Sequence, residues 1–340
     1  MTHPSTTPHG VPVLPSTTRL DLAPAQGVTS GAPRVVGVRT VDPRARRRWL
    51  LPWRDRLLLH ADDAVHDVDA PGAPAVAARY VLPATADGPL VVTPEGRLAA
   101  WDRAPFTWPT GDLLHDVSVV GLGEHLMLTD HAAGTTRLVT RDGDDVWRAA
   151  GLLHATLPAA GLLLGLAPDD TATVCAWSLV DGASAWRYTA RAAVRQVVAC
   201  VGDRLWVGLD DDRLLALDVA TGEVRAAVQH PGVDGWRPGP VTADGLLVLL
   251  RPSELTVVDL WTASVDHHVL TPGLGDPMIV RADAGGHVLA VDDSRRVWSV
   301  DLREPRPVEA ARAGAPATGL EVHDGAWWVV DQGGGLTTLR

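Results

Sequence analysis

Carboxylates keep returning at one kind of position in this chain, and oxygen-rich side chains are what cations and basic partners bind. Asp62 and Asp63, Glu95, Asp130, Asp169 and Asp170, Asp210, Asp211 and Asp212, Glu254, Asp292 and Asp293, and Asp331 each close or follow a short apolar run. Gathered on one face, they form an acidic annulus whose summed potential attracts a basic protein or a cation. A hard metal site needs several oxygens converging within bonding distance, and turns of separate repeat units stand too far apart for that. The plainer account is turn chemistry, because Asp and Gly favour tight hairpins in any domain. Both accounts stay open here, and the annulus is the best candidate for a contact surface.

Positive charge is concentrated in the run RARRRW, where Arg44, Arg46, Arg47 and Arg48 form a basic loop. Such a loop grips phosphate or an acidic partner, or is simply a solvated entry to the first repeat. No RNA-recognition motif or interleaved aromatic pattern accompanies it. The net charge of −11 opposes binding of nucleic acid or an anionic membrane. The 13 histidines are scattered, and the adjacent pair His267-His268 points to opposite faces of a strand. No HExxH or Cys/His spacing offers a metal site, and Cys175 and Cys200 read as two buried free thiols. There is no GxSxG, Walker loop or dinucleotide fingerprint. The expectation is no catalytic residue, no cofactor and no metal.

The elements that carry these side chains follow from a repeat. RLWVGLDDDRLLALDVATGEV, residues 204–224, holds two apolar runs around an acidic turn, with a second turn after them. Equivalent leading runs begin at Leu57, Leu90, Leu126, Leu162, Leu205, Leu246, Val288 and Trp327, spaced by 33 to 43 residues. Self-similarity at this period signals stacked units that cannot bury their faces alone. Following runs carry an aspartate in matching register at Asp69, Asp102, Asp218, Asp259 and Asp301. Short apolar runs between turn signals argue strands, and no long stretch has a helical period. With an extended piece before each leading run and another after each aspartate, the unit has four strands, the blade of a β-propeller.

Eight leading runs predict an all-β, eight-bladed propeller over residues 34–340, preceded by a Pro/Ser/Thr-rich disordered tail over 1–33. Seven blades is the alternative if two units merge, the second and third being the weakest. The last unit stops one strand short, so RVVGVRTV, residues 34–41, is expected to pair with Gly335–Leu339 and close the ring. Trp101, Trp177, Trp206, Trp298, Trp327 and Trp328 fall in the apolar runs, where wide rings fill gaps between blades.

The unit at 203–224 resembles the repeat of quinoprotein-like (PQQ-like) and WD40-like propellers. LTVVDLWTASV and RRVWSVDLREPRPV resemble it in part. The resemblance implies the propeller fold and, in one branch, quinone-dependent dehydrogenases. That branch uses adjacent cysteines, whereas Cys175 and Cys200 are 25 positions apart, so the cofactor does not carry across. A non-enzymatic branch acts as assembly platforms, and that role is the transferable one.

The expected function is therefore a non-catalytic, monomeric platform binding another protein through loops on one face. The alternative is an enzyme or small-ligand binder with a central-channel site built from His154, Arg195, Asp244, Arg281 and His323. Convergent polar side chains with perturbed pKa values would mark that alternative. The N-terminus has no apolar core of a signal peptide, and no run approaches the roughly 18 apolar residues of a membrane span. A cytoplasmic location is expected. All 30 basic residues are arginine, which points to a high-GC bacterial genome.

Overall fold

Branched and small apolar residues dominate the repeated runs, and such residues pack well on a pleated surface covered from both sides. A computed structural model describes residues 35–40, 48–53, 56–61, 64–70, 73–78, 80–85, 88–93, 98–100, 117–122, 125–130, 133–140, 144–150, 154–167, 170–229, 240–271, 273–283 and 285–340. Among them every regular element is a strand and there is no helix. The first strand is β1 (Val35–Thr40).

Among the described residues eight antiparallel sheets follow in chain order. Sheet 1 holds β2 (Arg48–Trp53), β3 (Arg56–Ala61), β4 (Ala64–Asp67) and β5 (Val76–Ala77). Sheet 2 holds β6 (Tyr80–Thr85), β7 (Gly88–Val92) and β8 (Leu98–Ala100). In sheet 3 the order is β9 (Val117–Leu122), β10 (His125–Asp130), β11 (Thr135–Thr140) and β12 (Asp145–Ala150). Sheet 4 has β13 (His154–Ala159), β14 (Leu162–Ala167), β15 (Asp170–Ser178) and β16 (Ser184–Thr189). Sheet 5 has β17 (Val194–Val201), β18 (Arg204–Leu209), β19 (Arg213–Asp218) and β20 (Val224–Gln229). Sheet 6 is β21 (Leu246–Leu250), β22 (Glu254–Asp259) and β23 (Ser264–Val269), with Val241 bridging to Leu247 ahead of them. Sheet 7 is β24 (Pro277–Ala282), β25 (His287–Asp292), β26 (Arg296–Asp301) and β27 (Val308–Arg312). Sheet 8 is β28 (Ala317–His323), β29 (Ala326–Asp331) and β30 (Gly335–Leu339), with β1 beside β30 in the register Val35↔Leu339, Val38↔Thr337 and Thr40↔Gly335.

Neighbouring sheets pack face against face. First strands touch from sheet to sheet, β9 with β13, β13 with β17, β24 with β28, and β28 with β2. That last contact joins the end of the chain to its beginning, and Leu57 and Leu59 share a cluster with Val330 and Leu336. The architecture is a β-propeller. Trp177, Trp206, Trp298 and Trp327 are buried between sheets, while Trp101 lies outside the described residues.

One device locks the seams between sheets and another the turns within them. An indole from one sheet donates to a carbonyl in the next: Trp147 Nε1 to Leu179 O at 3.0 Å, Trp186 Nε1 to Val219 O at 2.8 Å, and Trp206 Nε1 to Leu260 O at 3.0 Å. Beneath the first two rings lies a glycine with left-handed φ, Gly182 under Trp147 and Gly222 under Trp186, where a Cβ would stand 2.9 and 2.6 Å from ring atoms. Sheet 5 varies the scheme consistently. Ala226 faces Ala216 where Trp186 faces Ala176, and the indole comes from Trp206 on β18 instead. With no ring from the outer strand above it, the glycine position is taken by Ala263, at φ 60°.

The second device is a carboxylate or hydroxyl cap at the turn joining third and fourth strands. Asp218 Oδ1 accepts from the N–H of Ala220 and Thr221, both at 2.9 Å, and Asp259 Oδ1 from Trp261 at 2.7 Å and Thr262 at 3.2 Å. Asp301 accepts from Arg303 N, and Ser178 Oγ from Val180 N. In sheet 1 the cap is Asp67, not Asp69 as the repeat suggested: Asp67 Oδ1 accepts from Asp69 N at 2.9 Å and Ala70 N at 3.2 Å.

Candidate functional site

Antiparallel order sorts the turns onto two faces. Turns joining first to second and third to fourth strands share the upper face, held together by bonds such as Val219 N to Asp203 O and Leu260 N to Gly245 O. Turns joining second to third strands lie on the lower face. The described members of the carboxylate series fall on that lower face, at the ends or starts of β10, β15, β18, β22, β25 and β29. Asp62, Asp63, Glu95, Asp169, Arg44, Arg46 and Arg47 lie outside the described residues, as does the segment 1–33; Arg48 begins β2.

These carboxylates are not alike. Asp292 and Asp331 are buried and point into the protein. Asp292 Oδ2 accepts the Trp298 indole N–H at 2.7 Å and Oδ1 the Arg296 N–H at 2.9 Å. Asp331 Oδ1 accepts from Gly335 N at 2.8 Å and Oδ2 from Ala315 N at 3.2 Å. Both fasten their own hairpins. Asp130 caps Ala133, and Asp170 accepts from the Thr173 hydroxyl and the Ala172 N–H, which hold its carboxyl below the usual range. Asp210 pairs with Arg195, and Asp211 with Arg213 Nε at 2.8 Å, a guanidinium that keeps Asp211 low as well. Asp212 takes left-handed φ, a turn role that Asp tolerates. Glu254 stands 3.6 Å from Arg251, and Asp293 is exposed.

On the inner strands, Arg281 of β24 donates through Nε to Glu321 Oε1 of β28 at 3.0 Å and through Nη1 to Val280 O at 3.0 Å. Burial pushes the Glu321 carboxyl up, and Arg281 pulls it back without cancelling the shift. Arg195 sits at the lower rim with Asp210, and Asp244 is exposed on the upper face, where its carbonyl accepts from Trp261 Nε1. His323 is buried with Nε2 3.6 Å from Asp69 Oδ2 at the seam between sheets 8 and 1, and His154 begins β13. Arg195, Asp244 and His323 thus lie at rim, face and seam, and Arg281 finds a partner, Glu321, that the sequence reading did not name. Among the described residues no three His, Cys, Asp or Glu side chains are placed to hold a metal ion.

The upper face carries what the sequence reading missed. Two residues past the caps in sheets 4 to 7 stands an outward side chain, Val180, Ala220, Trp261 and Arg303, all exposed; in sheet 1 Asp69 holds that position but turns its Oδ2 back to accept from Leu57 N at 3.2 Å. Val180 is 79% exposed and Trp261 52%, so two large apolar groups face water on a fixed backbone. The signal was available as the second residue after each capping Asp or Ser.

Residues 132–231 match the family model described as outer membrane protein assembly factor BamB. BamB from Moraxella catarrhalis superposes with a TM-score of 0.56 at 14% identity, covering 91% of this chain and 99% of that one. The computationally designed Ika8 protein gives a TM-score of 0.62 at 12% identity, covering 88% and 98%. The Neurospora crassa Pan2 WD40 domain matches over 92% and 97% with a TM-score of 0.49 and 10% identity. No curated protein matches. The chain is a β-propeller similar to BamB-like ones.

Proposed function

We propose that the protein is a non-catalytic platform that binds another protein through turns on one face of its ring. The observation that carries this reading is the equivalent position at the upper turns. One capped backbone frame presents Val180, Ala220, Trp261 and Arg303 in turn. A rigid frame whose outward side chain differs from turn to turn suits recognition, because little ordering entropy is lost on binding. The BamB-like match over 132–231 supports the same role, since that family model describes an assembly factor. We take each of the eight sheets as one blade and residues 34–340 as the propeller, with β1 completing the last sheet. The working form is a cytoplasmic monomer of a high-GC bacterium, and its net charge of −11 disfavours nucleic acid and anionic membranes.

Affinity capture of the tagged chain at modest salt, followed by mass spectrometry, tests the reading. A stoichiometric protein partner is expected. A chain that elutes alone and carries a small molecule in native mass spectrometry overturns it. The competing reading, a ligand site on the inner strands, draws on Arg281 and Glu321, whose carboxyl is pushed up by burial. A bound small molecule lost in Glu321→Gln would favour it.

A further inference from the structure

Resting on the platform reading, we infer that the upper face of sheets 4 to 6 is the docking surface, and that its partner is an amphipathic segment with apolar anchors and basic residues. Three neighbouring turns present Val180, Ala220 and Trp261 at the same structural position, with Val224 at the start of β20 also exposed. Each turn is fixed twice. A side-chain cap holds it from within, through Ser178, Asp218 and Asp259. An indole from the preceding strands holds the carbonyl just before the outward residue, at Leu179, Val219 and Leu260.

Trp261 is held more firmly still. Its Nε1 donates to Asp244 O at 3.0 Å, and its carbonyl accepts from Arg204 at 2.6 Å. Its ring lies over Gly202 and Gly245, where a Cβ would stand 2.8 Å from ring atoms. A half-exposed tryptophan with one face packed and no freedom to lose is the kind of anchor that dominates interfaces. Isolated exposed apolar groups need no explanation, but an aligned and preorganised row does.

Charge selects the occupant. On these same turns stand Asp181, Asp203, Asp218, Glu223, Asp244 and Asp259, against the guanidinium groups of Arg204 and Arg225. Arg225 is spent on Asp218, with Nη2 to Oδ2 at 2.7 Å, and Arg204 approaches Asp203 only to 4.0 Å. An excess of carboxylate around an apolar row repels a second copy of this acidic chain and attracts a basic amphipathic segment.

The probe is a fluorescein-labelled amphipathic peptide of leucine and lysine, titrated with the full-length protein by fluorescence anisotropy. Its leucine/glutamate counterpart is the charge control. The leucine/lysine peptide is expected to bind and the counterpart not. Val180→Ser, at a side chain too exposed to matter for folding, is expected to weaken binding about tenfold. Trp261→Phe keeps the stacked ring and loses only part of the affinity. Asp181→Asn with Glu223→Gln lowers affinity at low salt and flattens its salt dependence, whereas Asp293→Asn on the lower face changes nothing. Binding that is indifferent to Val180→Ser and to the double neutralisation, or equal binding of the glutamate peptide, overturns the inference. The platform reading fails separately: a captured protein partner that Val180→Ser still retains sinks this surface and leaves the platform standing.

Discussion

Replacing Gly222 by alanine is the sharpest perturbation of a seam. Gly222 sits at φ +73°, and a Cβ there would stand 2.6, 2.8 and 3.2 Å from Cε3, Cδ2 and Cζ3 of Trp186. The backbone alone costs an L-residue in that region about 1 kcal/mol. The indole must also retreat, straining or breaking its 2.8 Å bond to Val219 O, a loss of about 1 kcal/mol. Trp186 is 9% exposed, and moving it out of its cluster with Leu164, Leu205 and Leu217 loses about 1–2 kcal/mol of burial. Gly222→Ala should therefore destabilise by about 3–4 kcal/mol. Gly161→Ala is the control, at φ +76° with nothing within 4 Å of the added atom, and should cost only about 1 kcal/mol. Urea unfolding followed by circular dichroism gives both values from midpoint and slope. Equal destabilisation by the two substitutions would refute the claim that the ring-on-glycine contact locks the seam.

Other outcomes follow from the charges and thiols. Asp218 is held below its ordinary value of 3.8 chiefly by Arg225, then by the Thr221 N–H. Its contribution to stability is thus present above that value and lost as pH falls through the lower folded value. An acid titration of the unfolding midpoint should fall less steeply in Asp218→Asn. Glu321 has the opposite sign: burial raises its folded value above 4.5, so its ionisation opposes folding as pH rises past that point. Glu321→Gln should be more stable relative to wild type at pH 7 than at pH 4, with Arg281 left to solvent as a partial offset. Cys175 is buried and its thiol is pushed up by burial, so a thiol-specific reagent should label the half-buried Cys200 first in the native chain. Both should react together after unfolding.

Much of the fold could be read from the chain because its signals are local. Apolar runs such as LWVGL and LLALD are strands at 204–209 and 213–218, and the glycines at 333 to 335 form the turn into β30 and its first residue. Errors came where local pattern has two solutions. Asp67 and Asp69 stand two apart in one phase, and only the length of β4 decides that Asp67 caps the turn. The acidic lower turns looked uniform, yet Asp292 and Asp331 turn inward because Trp298, Ala315 and Gly335 offer N–H groups there. Contacts between sheets were not legible from single repeats. Trp147 over Gly182 and Trp186 over Gly222 join residues about one repeat apart, and the paired exchange to Ala226 and Ala263 becomes visible only when repeats are aligned in space. Glu321 was missed for the same reason, since its partner Arg281 belongs to the preceding sheet.

The most direct test of the account is hydrogen exchange by mass spectrometry on the full-length chain, alone and with its captured partner bound. Protection is predicted at the upper turns around Leu179–Gly182, Val219–Val224 and Leu260–Ala263, with the inner strands β17, β24 and β28 unchanged. Protection confined to those inner strands, with the turns exchanging as in the free chain, would contradict a platform and locate the function in the channel.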